Sequence, residues 1–397
     1  MARILVLCSR TPYPLVGGAK VRLFNTARLL ADDHTVDLLV VDESPVDQSA
    51  VSALDEAFDD VTVFSYPGYR FHLNTVPGLA SRRPLQTHYF SFSAVERWLD
   101  GNLRKYDLAF CNHVRTTEYV RGYDIPKVVD FVDAISRNYE ASGEHAEGIW
   151  RAIYPIESRR LLRYERRIAE EFDHSFIITE EDKRYVEGSS RYESLSVLPN
   201  GVKGEILERG RDDAEPDAPE DGARLVFLGK MDYFPNEDAA TFFAESVFPR
   251  VRADRPNAEF LVVGASPTER VRALDSLPGV TVTGFVDDPV DYLEDAHVVV
   301  APMRHGAGLQ NKILEAMGLG KAVVTTPLGR EGIDAESDEH LRVGETPDEL
   351  ARQVVELLDD GAERERIGRR ARERIEERYT WEEIRPRLLG RVNDVLG

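Results

Sequence analysis

Cysteine is almost missing: Cys8 and Cys111 are the only two in 397 residues. Both sit in strand-like apolar runs, which excludes a disulfide framework or a thiolate metal cage and leads us to expect two buried free thiols. Long apolar runs are missing too. No stretch approaches the ~18 apolar residues of a membrane span, and the opening MARILVLCSRTPYP meets proline without a signal-peptide cleavage pattern. The expectation is a cytoplasmic protein, at most peripheral at the inner membrane face. Lysine is scarce, eight of the 50 basic residues, and 71 acidic residues leave a net charge of −21. That excludes a non-specific nucleic-acid binder, because phosphate contact needs a basic face. An acidic, lysine-poor surface suits a protein kept soluble in concentrated salt, where screening relieves self-repulsion, so a halophilic source is expected.

What the chain does have is material for cores, 42% apolar and 9% aromatic, over a length that suits two or three domains. Short apolar strands, over 3–8, 35–41, 61–64, 107–111, 127–131 and 174–178, alternate with helical patterns such as 20–31. That is the rhythm of a parallel α/β sheet. Over 147–172, Ile153, Ile156, Leu161, Tyr164 and Ile168 recur at helical spacing while Arg159, Arg160, Arg163, Arg166 and Arg167 cluster. This reads as a packed helix with a solvated charged face or as a basic amphipathic helix able to lie on anionic lipid. Residues 208–224, ERGRDDAEPDAPEDGAR, hold almost nothing to bury and mark a domain boundary. A second α/β rhythm follows, with strands over 224–228, 259–263, 280–283, 297–301 and 322–325 and helices over 237–251, 310–317, 347–358 and 362–378. The two halves would face each other across a cleft. The acid is uneven: 24 basic against 30 acidic residues in 1–200, 26 against 41 beyond, so the first half is better suited to approach an anionic surface.

In open parallel sheets ligands bind at the carboxyl ends of strands, where helix starts offer unpaired N–H groups to anions. Two loops fit. The first runs from Thr11 to Lys20 between the opening strand and a helix and contains Gly17-Gly18; it is neither a Rossmann nor a Walker loop. The second runs strand end, glycine loop, helix: Ala301-Pro302-Met303-Arg304-His305-Gly306-Ala307-Gly308-Leu309-Gln310-Asn311-Lys312. Glycines 306 and 308 would free the opening amides to meet a diphosphate, with Arg304 or Lys312 neutralising its charge. Glu315, three residues past Lys312, would accept two hydroxyl hydrogen bonds from a ribose, or simply form a solvated ion pair with that lysine.

At these residues the sequence resembles the family 4 glycosyltransferases, retaining enzymes of the GT-B fold. The likeness spans nearly the whole chain and rests on Gly17-Gly18, LPNGV at 198–202, FLGK at 227–230 and GAGLQNKILEAMGLGKAVV at 306–324. The run from Gly229 to Ala239 looks like members of polysaccharide and glycolipid assembly. The resemblance implies an α/β chain of two Rossmann-like parallel-sheet domains, an acceptor-side domain over 1–205 and a nucleotide-sugar domain over 224–380. An acidic linker over 206–223 joins them, and a terminal helix over 381–397 crosses back. It implies that Glu315 binds the donor ribose, that Gly308, Leu309 and Gln310 approach phosphates or sugar, and that Lys230, after Gly229, meets the diphosphate. It departs at two places: Ala307 stands where the family often has a carboxylate for the transferred sugar, and Pro235 followed by Asn236 stands where it often keeps a second basic residue. Lys312 is the candidate to supply that charge. His113, after a strand end, falls where the family often has a histidine near donor sugar and acceptor, although a loop histidine can equally be structural. Asp130 and Asp133 could orient an acceptor or cap the next helix.

No cluster has metal-ligand spacing, and the resemblance implies no bound metal and no cofactor. Breaking a sugar–phosphate bond leaves a departing diphosphate, which fixed positive charge and helix amides would stabilise. The implied reaction is retaining transfer from a nucleotide-diphosphate sugar to a glycan or lipid-linked glycan, with domain closure before chemistry. The alternatives are a non-catalytic nucleotide-sugar-binding or scaffold protein and a nucleotide-sugar 2-epimerase, the latter lacking a recognisable acid–base set.

Overall fold

The computed structural model describes residues 1–15, 17–144, 146, 148–210, 222–306 and 308–397. The chain forms two compact units: Met1–Pro199 together with Ile384–Gly397, and Asn200–Glu383.

The first unit is built on a seven-stranded sheet: β1 (Arg3–Cys8), β2 (Thr35–Asp42), β3 (Asp60–Ser65), β4 (Leu108–Asn112), β5 (Lys127–Asp130), β6 (His174–Ile177) and β7 (Leu195–Val197). Their spatial order is β3-β2-β1-β4-β5-β6-β7, every pair parallel. The central strands read as unbroken apolar runs because helices cover both faces; Ile4 to Cys8 are all buried. The last helix, Trp381–Leu396, belongs to this unit from Ile384 onward, its Ile384, Leu388 and Val392 buried.

The second unit repeats the plan with β8 (Arg224–Leu228), β9 (Glu259–Val263), β10 (Val280–Gly284), β11 (Val298–Ala301), β12 (Val323–Thr325) and β13 (Arg342–Val343). Their order is β10-β9-β8-β11-β12-β13, again parallel throughout. The strand period divides the core in two. Leu225, Phe227, Val298 and Val300 pack on one face, and Val226, Val299 and Ala301 on the other.

Several boundaries differ from expectation. The segment expected as linker from 206 is helical at its start, Gly204–Arg209, because Ile206 and Leu207 are buried; its 211–221 portion lies outside the described residues. The helix expected over 237–251 begins at Phe234, where Pro235 fits a first turn, and passes through a wider turn at Phe243–Val247. The basic stretch forms Trp150–Glu171 and buries Leu161, Tyr164 and Ile168, but Ile156, expected on the packed face, is exposed. No helix among the described residues is long and apolar enough to cross a membrane.

Candidate functional site

In each sheet the order reverses between its first and fourth strands, and a crevice at such a switch point is where loops from adjacent strands diverge. In the second unit those strands are β8 and β11, so the loops after Leu228 and after Ala301 open side by side. The β8 loop is held by backbone: the Gly229 amide donates to Val263 O at 3.0 Å and the Met231 amide to Ala265 O at 2.9 Å. A Cβ at Gly264, whose φ is +146°, would stand 1.8 Å from the Gly229 oxygen, so the two chains pass too closely for any side chain there.

The β11 loop carries positive φ at Gly306 (+106°) and Gly308 (+81°), which lets it turn back into the helix Asn311–Gly318. That helix opens at Gln310 with no side-chain cap. Its first amides are therefore left for an outside acceptor, at the positive end of the helix dipole. Ala307 lies outside the described residues.

Lys312, in the first turn, points into the unit. Its Nζ lies 4.5 Å from the centre of the Phe227 ring and donates to Asn236 Oδ1, while Asn236 Nδ2 donates to Lys230 O at 3.0 Å. Burial pushes the ammonium pKa down to about 7, with Glu315 opposing. The Glu315 carboxyl is itself raised by burial, against the pull of Lys203 and Lys312. No donor among the described residues hydrogen-bonds it, which leaves its oxygens free to accept from a ligand. Asn200 Nδ2 donates to Asn311 Oδ1 at 2.8 Å and braces the helix start.

Two expected cations stand differently. Arg304, expected beside a diphosphate, is committed to Asp238 through bonds of 3.0 and 2.6 Å and lies over the Phe242 ring at 4.2 Å. A buried carboxylate needs a partner, and Asp238 takes it. Lys230 is exposed, its Nζ 3.1 Å from Asp232. Thus Gly229, Gly306, Gly308, Leu309, Gln310, Lys312 and Glu315 gather at one switch point, with Lys230 at its rim. Sequence reasoning missed Asn236, read there only as a missing base. It is the residue that receives Lys312 beside the place where a second cation was sought.

The first unit has its own switch point between β1 and β4. Gly17 (φ +89°) precedes the helix Gly18–Ala31, which also opens without a side-chain cap. His113 follows β4 in the left-handed region at φ 64°. Burial and then Arg115, Arg22 and Arg10 hold its imidazole well below the usual histidine range, so it is neutral. Asp130, expected to face an acceptor or cap a helix, does neither. It is fully buried and takes two bonds from Arg22, at 2.7 and 2.8 Å, while Arg22 Nη1 donates to Leu198 O at 2.8 Å. Asp133 accepts from Asn138 Nδ2 at 2.7 Å rather than capping the helix Ile135–Glu144. That helix's second residue, Ser136, is served by Glu165, which accepts its amide and its hydroxyl. Burial raises Asp133 to about 6, with Asp182 adding. Burial also raises Glu165 to about 7. Arg22 and Glu165 were missed because nothing distinguishes a buried ion in a one-dimensional pattern of charge.

Residues 222–360 match the family model described as "Glycosyl transferases group 1". With that domain and two parallel-sheet units of the GT-B fold, the chain is a glycosyltransferase. Over nearly its whole length it is similar to an uncharacterized 44.6 kDa protein in the cps region of Klebsiella pneumoniae, 22% identical over 96% of this chain and 97% of that one. A shorter stretch is 31% identical to the GDP-mannose-dependent monoacylated alpha-(1-6)-phosphatidylinositol monomannoside mannosyltransferase of Corynebacterium glutamicum, covering 35% of this chain and 40% of that protein. Among solved structures, HepE of Anabaena in complex with UDP-glucose superposes with a TM-score of 0.67 at 17% identity, over 99% of this chain and 100% of that one.

Proposed function

We propose that the chain is a retaining glycosyltransferase, similar to family 4 enzymes, that moves a hexosyl group from a nucleoside-diphosphate sugar to a glycan or lipid-linked glycan. The observation that carries the reading is the β11 loop: two left-handed glycines, an uncapped helix start, a buried lysine and a carboxylate with open acceptor positions, all at one switch point. In this reading the amides of Gly308 to Gln310 and the ammonium of Lys312 face the diphosphate, Lys230 closes on it from the rim, and Glu315 accepts the ribose hydroxyls. As the sugar–phosphate bond breaks, negative charge grows on the departing diphosphate, and charge already fixed in place stabilises it without reorganisation. Neutral His113 offers a hydrogen bond to sugar or acceptor rather than a proton. No metal enters the scheme, since the positive charge is supplied by side chains and amides.

The named relatives support the substrate class, because one is named as a GDP-mannose-dependent mannosyltransferase of a phosphatidylinositol monomannoside and another was captured with UDP-glucose. A place at the inner membrane face and a salt-rich cytoplasm complete the proposal, the latter from the net charge of −21. The test is a thermal-shift screen of nucleoside diphosphates and nucleotide sugars in low and multimolar KCl. Stabilisation by one base, growing with concentration as linkage requires, supports the donor site. A folded protein that no nucleotide stabilises is instead a non-catalytic member of the fold.

A further inference from the structure

The first unit carries a concentration of positive charge at odds with its chain. Arg82, Arg83, Arg160, Arg163 and Arg167 line a cavity of about 430 Å³ to which no carboxylate contributes a wall, in a protein of net charge −21. Arg83 is neutralised by Glu118 at 2.6 Å and Arg160 by Glu157 at 2.8 Å. Arg82, Arg163 and Arg167 pair with no carboxylate among the described residues. Three cations are thus available to an anion, on a surface where evenly distributed charge would leave a deficit.

The cavity is bordered by apolar groups facing water. Along the helix Trp150–Glu171, Ile156, Arg160, Arg163 and Arg167 are spaced four, three and four residues apart, so they share one face. Toward its start that face becomes apolar, with Ile149 70% and Ile156 51% exposed, and Trp150, 55% exposed, stands on the adjoining face. A second group, Tyr69, Leu73, Val76 and Leu79, is 59% to 64% exposed on the segment that leads into Ser81-Arg82-Arg83. The two groups are tied together, since the Arg160 guanidinium reaches Gly78 O at 3.5 Å and Leu79 O at 3.4 Å. Exposed apolar side chains in such number mark an interaction surface, and their alternation with arginine selects the kind.

We propose that this face docks on an anionic membrane. Arg82, Arg163 and Arg167 engage lipid phosphates, and the Leu73–Leu79 segment and the Ile149–Ile156 end of the long helix enter the headgroup region. A soluble polyanion would have use for the three unpaired arginines but none for the apolar flanks, whereas an anionic bilayer matches both; a second copy of this acidic chain is an outcome the test distinguishes. The inference rests on the reading of a lipid-linked acceptor given above and supplies the surface that would bring the first unit to it.

The full chain is sedimented with vesicles of phosphatidylcholine alone and with one-third phosphatidylglycerol, at each salt concentration where it is folded. At the lowest salt where the chain is folded, binding to the anionic vesicles is expected at least about tenfold tighter than to the neutral ones, a preference that shrinks as salt rises. The triple variant R82E/R163E/R167E should lose it, and L73S/L79S should weaken it even in high salt, where screening leaves the apolar contribution. The inference is overturned if the wild-type chain stays in the supernatant with anionic vesicles, or if both variants bind undiminished. It is overturned equally if sedimentation velocity shows a self-associated species that the triple variant disperses, or if inorganic pyrophosphate binds this site while vesicles do not. The nucleotide thermal shift, measured on the same samples, should be retained by both variants. A wild-type chain that binds vesicles but no nucleotide would contradict the donor reading and leave this one standing; the reverse pattern would contradict this one alone.

Discussion

An ammonium set against the Phe227 ring and a single amide oxygen, as Lys312 is, has surrendered most of its water, and its pKa has fallen to about 7. A diphosphate arriving at the helix start would restore the charge, so donor binding takes up a proton. Affinity for a nucleoside diphosphate should therefore fall as pH rises above about 7, and titration calorimetry in two buffers should show the proton uptake. Lys312→Met should bind about tenfold more weakly, with that slope removed. Its stability should move the other way. The folded pKa lies below the unfolded value of about 10.4, so the buried charge costs stability below about pH 7 and the cost fades as pH rises toward 10. Lys312→Met should thus raise the Tm most near pH 6. A Tm that falls there would mean the lysine is a structural support rather than a held charge.

Elements are joined by buried ions that the linear pattern conceals. Arg22 connects the helix Gly18–Ala31 to β5 through Asp130 and to the end of the unit through Leu198 O. Arg22→Met leaves a buried carboxylate without its partner and should cost about 3–5 kcal/mol in denaturant unfolding. Glu165 spans from the long helix to the start of Ile135–Glu144 and sits near two other carboxylates, Asp133 and Asp182. Its folded pKa is raised, so the stability it brings is full below about pH 4 and is lost as pH climbs through about 7. Glu165→Gln keeps the bonds to Ser136 and should stabilise by about 1–3 kcal/mol near pH 8 while changing little near pH 4. Strands such as β1 and β11 were legible because burial on both faces makes them unbroken apolar runs. β7 and β13, three and two residues long, are too short to carry a period, and they were missed. The β11 loop was legible because glycine, lysine and glutamate there are demanded by backbone angle and charge. The fates of Arg304 and Asp130 were not, because their partners, Asp238 and Arg22, lie 66 and 108 residues away.

At the scale of the molecule the net charge of −21 is spread over a surface rich in arginine–carboxylate pairs. Isolated pairs of this kind contribute little, so repulsion among the unpaired carboxylates should dominate in dilute buffer. The Tm should rise from low KCl toward about 1 M, as the Debye length falls from about 10 Å at 0.1 M to about 3 Å and the repulsion is screened. A Tm that is flat or falls would point to an ordinary acidic protein and remove the salt-rich setting from the proposal. In the proposed scheme Lys312, Lys230 and the helix amides supply the charge that a metal would otherwise bring, so activity should survive EDTA undiminished. The central claim is that the loop and helix after β11 bind a donor diphosphate for transfer. Its most direct measurement is nucleoside diphosphate release from the donor that stabilises the protein, for the wild type and for Glu315→Ala. The account predicts acceptor-dependent release by the wild type and a loss of roughly 10- to 100-fold in the variant, the range of one hydrogen bond to a charged group. Release that proceeds undiminished in Glu315→Ala would contradict it.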